Sequence, residues 1–397
     1  MKLSVTDAAA RIRTRNEGAA ALAYVKVFGC QQNEADGERL RGMLADMGYR
    51  FTDEPNLADV VILNTCAVRL HAEQRALGHL GAIGHDGGPP GQVVAVCGCM
   101  AQLASARETL KRSYRHVRLV FGPGDLHRFP ELLHDALTQS GRHFHGNPPD
   151  VPLDWEEGLP VLRAPPANAE GRAFVTVMKG CDNYCAYCVV PYTRGRERSR
   201  SPEAVIAEVR GLIAEGYTEF TLLGQNVNSY RPADGESVAD FPDLLAALVS
   251  LEGNFSLRFM TSHPKDASDK LFQTMGRHPK IAPFLHLPAQ SGSDKVLTAM
   301  NRGYTREHFI ALTQRARAAI PGLNLTSDIL VGFPGETEAD FEDTLSLLET
   351  VRFNSLFTFI YSPRPGTPAA GLEDDTPMKV KKARFQRLLD AQKRIES

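Results

Sequence analysis

The chain has no apolar run near the roughly 18 residues that a bilayer span needs. A typical apolar stretch, residues 60–63, is strand-sized and stops at Asn64. The N-terminal residues include Asp7, Arg11, Arg13 and Arg15 and lack the apolar segment of a secretory signal. Net charge is also lacking: 45 Lys and Arg against 47 Asp and Glu leave −2 over 397 residues. That excludes a surface coated in positive charge, but not a local basic groove. The cysteines are few and odd in number, seven, which argues against a disulfide framework. Metal or redox chemistry is the better reading for them. Wholesale disorder is excluded too, because 43% of the residues are apolar and only 23% charged. A soluble, cytoplasmic protein of two or three domains is expected.

Between residues 22 and 146, β-prone runs alternate with helical patterns. Strands are expected at 24–28, 60–63, 92–96 and 117–121. Helices are expected over 34–47, from about 69, through 110 and near 132–137. The first of these carries Leu40, Met43, Leu44 and Met47 at three-four spacing. This alternation predicts an α/β domain, a parallel sheet covered by helices. Prolines at 148, 149, 152, 160, 165 and 166 then leave no room for a regular element, so 147–171 reads as a linker. A second β-α series fills 172–397, with strands expected at 173–178, 219–223, 256–260, 284–287, 323–329 and 355–359. Helices such as 202–215 and 339–351 fit between them. Six such units predict a curved partial (β/α)6 barrel, short of the eight of a full barrel. The last stretch, 377–397, reads as an amphipathic helix with Phe385, Leu388 and Leu389 as its buried stripe.

Cys181, Cys185 and Cys188 stand at C-x3-C-x2-C spacing, directly after the first strand of the second series. Ligands gather on such loops at the carboxyl ends of parallel strands. Three thiolates suit an iron–sulfur cube, which usually takes four, so one iron is left open for a substrate or cofactor. Zinc with a fourth ligand from elsewhere and inert buried thiols are the alternatives. In the first domain, Cys30, Cys66 and Cys99 each follow a different expected strand. Parallel strands end along one edge, so these three thiols are expected to converge. Three unrelated helix-start cysteines are the alternative. Cys97 precedes Cys99 by two, which on a strand points both to one face; it is read as a small buried residue.

With Tyr187 as its aromatic, the triplet resembles the C-x3-C-x-(aromatic)-C signature of radical SAM enzymes. The longer string Gly180-Cys-Asp-Asn-Tyr-Cys-Ala-Tyr-Cys-Val-Val-Pro-Tyr-Thr-Arg-Gly195 is similar to that of the methylthiotransferases. It is most similar to the MiaB branch, which modifies isopentenyladenosine in tRNA. The resemblance implies one [4Fe–4S] cluster on Cys181, Cys185 and Cys188, whose open iron chelates S-adenosyl-L-methionine. It implies an auxiliary [4Fe–4S] cluster on Cys30, Cys66 and Cys99 that delivers sulfur. The implied reaction adds a methylthio group to C2 of N6-isopentenyladenosine beside the tRNA anticodon. Threonylcarbamoyladenosine in tRNA and an aspartate of a ribosomal protein are the alternatives within the family. A nonenzymatic metal-containing RNA-binding protein is the alternative outside it.

Cofactor contacts are expected at Tyr187, at Gln225 and Asn226 after the second barrel strand, and at Gln290 and Ser327. The turn over 329–337 is expected near the adenine. His286 reads equally as a ligand contact or as a locally satisfied strand-end histidine. Arg194, Arg196 and Arg198, with Arg200 and Tyr192 nearby, suit phosphate contacts and base stacking. A solvated charged loop is the alternative there. Arg364, among the prolines of 361–368, is expected to frame a flipped-out base. No side chain is singled out as catalytic. The implied partners are the tRNA anticodon loop, an electron donor and a sulfur donor; the protein is expected to be a monomer without membrane contact. The resemblance runs from Tyr24 to the last residue. It stops short of the small C-terminal β-domain, TRAM, with which the family usually continues and which helps it bind RNA.

Overall fold

The structure is a computed structural model and describes residues 3–68, 70–146, 162–165, 171–233 and 238–396. Its contacts divide the chain into two compact units. One comprises Met1–Glu170 and Val190–Arg196, the other Gly171–Val189 and Glu197–Ser397.

The first unit runs α1 (Val5–Asn16), β1 (Leu22–Val27), α2 (Gln31–Asp46), β2 (Arg50–Phe51), β3 (Val60–Thr65), α3 (Leu70–Asp86), β4 (Val93–Gly98), α4 (Ala104–Ser113), β5 (Val117–Phe121), α5 (Phe129–Thr138) and β6 (His143–Phe144). All pairings are parallel, in the order β2-β1-β3-β4-β5-β6. Every residue of β3 and β4 is buried, as expected of strands covered on both faces. One face packs Leu40, Leu44, Ile62, Phe121 and Phe129 together, the other Leu63, Leu80, Val94, Val96 and Leu110. Helix α1 lies ahead of the expected domain start. It is mostly polar, but Ala8, Ala9 and Ile12 form a buried face and Ser4 caps it by accepting the Asp7 N–H. Of the expected linker, 147–161 and 166–170 lie outside the described residues. Residues 162–165 run along α2, where Ala164 N–H donates to the Glu38 carbonyl at 3.1 Å. Gly42 leaves no room there for a Cβ, which would lie 2.4 Å from the Leu162 carbonyl carbon. The short helix α6 (Val190–Arg194), expected in the second domain, belongs to the first unit.

The second unit contains β7 (Arg172–Thr176), β8 (Met178–Lys179), β9 (Arg198–Ser199), α7 (Pro202–Ala214), β10 (Glu219–Leu223), α8 (Phe241–Val249), β11 (Ser256–Phe259), α9 (Asp269–Arg277), β12 (Phe284–His286), α10 (Asp294–Ala299), α11 (Arg306–Ala319), β13 (Asn324–Val331), α12 (Glu338–Val351), β14 (Ser355–Ile360) and α13 (Met378–Glu396). Two parallel three-stranded sheets, β7-β10-β11 and β12-β13-β14, follow chain order. They are joined where Leu257 of β11 bonds to Lys280 and Ala282, just ahead of β12. The result is the partial (β/α)6 barrel, with Val175, Phe220, Leu257, Leu285, Leu325 and Phe309 in one core. β8 and β9 form a separate antiparallel ribbon. No helix among the described residues is long and apolar enough to cross a membrane.

Helix α13 corrects one expectation. Its buried residues are Lys381, Arg384, Leu388, Ala391 and Gln392, and Leu389 is exposed. Two of the buried positions are cations, so hydrophobicity alone misplaces the stripe. Arg384 pairs with the buried Glu336 at 3.1 Å and Lys381 with Asp374 at 2.5 Å. This difference is measurable by urea unfolding. Leu388→Ala, at a fully buried position, costs about 2–5 kcal/mol. Leu389→Ala stays within about 0.5 kcal/mol of the parent.

Candidate cluster and cofactor sites

In the first unit β1, β3 and β4 lie side by side, and Cys30, Cys66 and Cys99 follow their ends. The ladder runs past the strands: Phe28 N–H donates to Asn64 O at 2.8 Å and Cys99 N–H to Thr65 O at 2.9 Å. Glycine precedes two of the thiols because the backbones crowd together. A Cβ on Gly29 (φ +123°) would lie 2.3 Å from Cys66 Cβ, and one on Gly98 (φ +89°) 2.3 Å from Thr65 O. Gly98 also ends β4, and Cys99 turns to helical φ and ψ. Strand alternation therefore does not reach Cys99, and Cys97 packs instead into the core with Ile62 and Phe121.

The Cys30 thiol is pushed down to about 6, first by a hydrogen bond with Cys66, with burial opposing and Arg194 assisting. Cys66 is pushed up as the other member of that pair, and by burial. Burial also pushes Cys99 up, opposed by Arg194 and by a hydrogen bond from Thr193. Both opposing groups come from α6. Arg194 is 3% exposed. It donates to Asp36 Oδ2 at 2.8 Å and to Asn33 Oδ1 at 3.0 Å. This corrects its expected role: a guanidinium buried among thiols and paired to Asp36 does not reach for a phosphate.

In the second unit the loop with Cys181, Cys185 and Cys188 is pinned from many sides. Gln225 Oε1 accepts the Gly180 N–H at 2.5 Å. Asn301 Nδ2 donates to the Asn183 and Tyr184 carbonyls at 3.2 and 3.1 Å, and Lys265 Nζ to Asn183 Oδ1 at 2.7 Å. Ala186 N–H donates to Met300 O at 2.9 Å. Burial pushes the Cys181 thiol up to about 12. Arg302, 4% exposed, donates to Cys185 Sγ at 3.3 Å and to the Tyr187 hydroxyl at 3.4 Å.

Tyr184, Thr261, Gln290 and Asn301 all adopt positive φ. Each stands in a loop beyond a strand or helix end, and such strain gathers at functional sites. Beside them lie Asn226 Oδ1, both side-chain polar atoms of Asn228, Ser262 Oγ and His263 Nε2. All are buried and without a protein partner among the described residues. A cavity of about 530 Å³ adjoins, lined by Ser199, Asn228, Ser229, Arg231, Lys265 and Asp266. Native proteins rarely leave such atoms unsatisfied, so this grouping is suited to a polar ligand.

The donor sets fit the implied groups. Each unit offers three thiols on loops, with Cys97, the fourth of the first unit, turned into the core. Three is the set that leaves one iron of a cube open, and each set has a buried arginine beside it that can oppose the charge of ligating thiolates. No group of three or more His, Cys, Asp and Glu among the described residues closes around a single-ion position. The fit therefore rests on the donor chemistry.

The other expected residues divide. Asn226 donates to Asp266 at 2.7 Å and keeps Oδ1 for a ligand. Gln225 holds the cysteine loop through Oε1. Ser327 is fully buried and committed, donating to Leu287 O at 2.8 Å and accepting the Ala289 N–H at 2.9 Å. Gln290 is buried and bridges to β13 through its backbone. His286 is satisfied locally by Thr326 at 2.9 Å and Asp328 at 3.5 Å. Arg200 and Arg364 are buried, whereas Arg196 is exposed and Arg198 half-buried. Arg302, Asn301, Asn228 and His263 were not anticipated, because they belong to no cysteine spacing or charge run.

His263 gives a measurable pH effect. Burial, with Arg302 and Lys265 adding to it, pushes its pKa down to about 2. The unfolded chain takes up that proton near pH 6.5, so acid favours unfolding throughout the window between. On cluster-free protein, His263→Asn should flatten the fall of stability below pH 6.5 by about 1.4 kcal/mol per pH unit. Parallel stability profiles of the two proteins would contradict this.

Both units have counterparts among known proteins. Residues 175–348 match the radical SAM superfamily and 22–122 the uncharacterized protein family UPF0004. Over 374 residues the chain is 49% identical to the tRNA-2-methylthio-N(6)-dimethylallyladenosine synthase of Acetivibrio thermocellus, covering 94% of this chain and 76% of that one. The enzyme of that name from Clostridioides difficile is 45% identical over 379 residues, with 95% and 77% covered. Two solved structures share the fold. The radical S-adenosylmethionine methyltransferase TsrM from Kitasatospora setae has a TM-score of 0.60 at 15% identity, over 89% of this chain and 77% of that one. The cobalamin-dependent radical enzyme OxsB has a TM-score of 0.59 at 13% identity, over 95% and 56%. At this level of identity and coverage, the chain belongs to the radical SAM methylthiotransferase family that includes the tRNA-2-methylthio-N(6)-dimethylallyladenosine synthases.

Proposed function

We propose that this enzyme adds a methylthio group to C2 of N6-isopentenyladenosine (N6-dimethylallyladenosine) beside the tRNA anticodon. The observation that carries the reading is the pair of thiol triads, one at the carboxyl ends of the parallel strands β1, β3 and β4, the other on the single loop after β8, each facing a buried arginine. In this reading Cys181, Cys185 and Cys188 hold one [4Fe–4S] cluster, and Cys30, Cys66 and Cys99 hold the other. When bound, the clusters and S-adenosyl-L-methionine supply the radical, the sulfur and the methyl group.

The chain's own residues bind and orient. A C2–H bond is too weakly acidic for any side-chain base to remove that proton. Asn226, Asn228, Ser262 and His263 offer unfilled polar atoms to the amino-acid end of S-adenosyl-L-methionine. His263 does so as a neutral ring, its charged form being suppressed by burial. Gln225, Asn301 and Lys265 fix the cysteine loop, and Arg194 and Thr193 steady the auxiliary thiols. Arg196 and Arg198, which keep solvent access, meet phosphates of the anticodon loop. The reaction takes place in the cytoplasm, needs a single copy of the chain, and draws on a separate electron donor and sulfur donor.

Anaerobic reconstitution tests the cluster assignment. The parent should bind about eight irons per chain, Cys181/Cys185/Cys188→Ala about four, and Cys97→Ala about eight. One zinc and no iron in the parent would end this reading.

The reaction is read on nucleosides. Reconstituted enzyme, S-adenosyl-L-methionine, a reductant and tRNA bearing isopentenyladenosine should yield a nucleoside heavier by one methylthio group. Release of 5′-deoxyadenosine without that product would move the assignment to another substrate of the family.

A further inference from the structure

Arg302 lies between α10 and α11 and is 4% exposed. Nη1 donates to Cys185 Sγ at 3.3 Å and to the Tyr187 hydroxyl at 3.4 Å. Nη2 donates to Pro288 O at 2.8 Å and Nε to the Tyr304 hydroxyl at 3.1 Å. Tyr304 in turn donates to Ala289 O at 2.8 Å. Among the described residues no carboxylate pairs with it. A guanidinium stays protonated in proteins, and a buried charge without a counter-ion is strongly disfavoured. Arg194 shows the contrast, because it has Asp36 at 2.8 Å. The one group in contact with Arg302 that becomes an anion on binding iron is Cys185.

We propose that Arg302 is a positioning residue for the one-electron step at the Cys181/Cys185/Cys188 site. Its charge and its N–H on the Cys185 sulfur favour the reduced state of whatever those thiolates hold. Its remaining donors tie the cysteine loop to the segment of Pro288 and Ala289, which leads to Gln290. Hydrogen bonds to ligating sulfurs are a recognised lever on cluster potential. One electron passes from an external low-potential reductant to the cluster, the reductant is oxidised by one electron, and no proton moves. The inference rests on reading those three cysteines as cluster ligands.

The test uses the Cys30/Cys66/Cys99→Ala protein, which retains a single site, with Arg302→Met and Arg302→Lys added separately. Iron content is measured, and the midpoint potential is followed by paramagnetic resonance during dithionite titration. About four irons are expected in each, a midpoint shifted negative in R302M, and a midpoint near the parent in R302K. Release of 5′-deoxyadenosine should fall at least about tenfold in R302M and recover in R302K. An unshifted midpoint in iron-loaded R302M overturns the proposal. If R302M loads no iron, R302K decides: loading with a parent-like midpoint supports the role of charge, and no loading overturns it. Absence of iron in the parent background would instead overturn the cluster reading, and the inference with it.

Discussion

Thiolates withdrawn from water need a nearby positive charge, and much of this structure is arranged around that requirement. Burial by itself keeps a thiol protonated, as the upward shifts at Cys97, Cys99 and Cys181 show. Each unit answers by burying an arginine against three of its cysteines. Arg194 is steadied by Asp36 and Asn33, and Arg302 by two tyrosine hydroxyls and a backbone carbonyl. The choice of arginine is physical. Its charge is not lost on burial, and its planar fork can hold a sulfur and a scaffold group at once.

Position follows from topology. In a parallel sheet the strands end on one edge, so residues 30, 66 and 99 become neighbours without any local signal. The close approach has a local cost, met by glycine at 29 and 98, where a side chain would strike Cys66 or Thr65. In the barrel the cysteines lie within one loop instead. Its surroundings do the converging: Gln225, Lys265 and Asn301 reach it from three separate segments.

This explains what was legible beforehand. The nearness of Cys30, Cys66 and Cys99 was, because each follows a run of β-branched or apolar residues whose strand identity is plain from pattern, and the barrel triplet stands out by its spacing alone. The barrel order was, because β-α alternation is a period that survives in one sequence. Arg302 was not, since its significance lies in a contact across 117 positions with Cys185. Arg194 was misread for the opposite reason. Four arginines within residues 194–200 look like a phosphate-binding stretch, yet Arg194 and Arg200 are buried and paired to Asp36 and Glu208. Charge density in sequence does not distinguish a cation facing solvent from one buried beside thiols.

Helix α13 extends the point from the sites to the scaffold. Its buried stripe recurs at 381, 384, 388, 391 and 392, a helical period that includes Lys and Arg. Their stems cover apolar surface while their heads meet Asp374, Glu336 and Glu338. Glu336 is itself held by Gly332 N–H at 2.8 Å, in the turn that follows β13. The last helix is thus fastened to the barrel by paired charges as well as by Leu388. A buried arginine in this protein is consequently informative only together with its partner. Opposite Glu336 it closes a helix onto a sheet. Opposite Cys185, with no carboxylate in contact among the described residues, it turns its charge toward the cysteine loop itself.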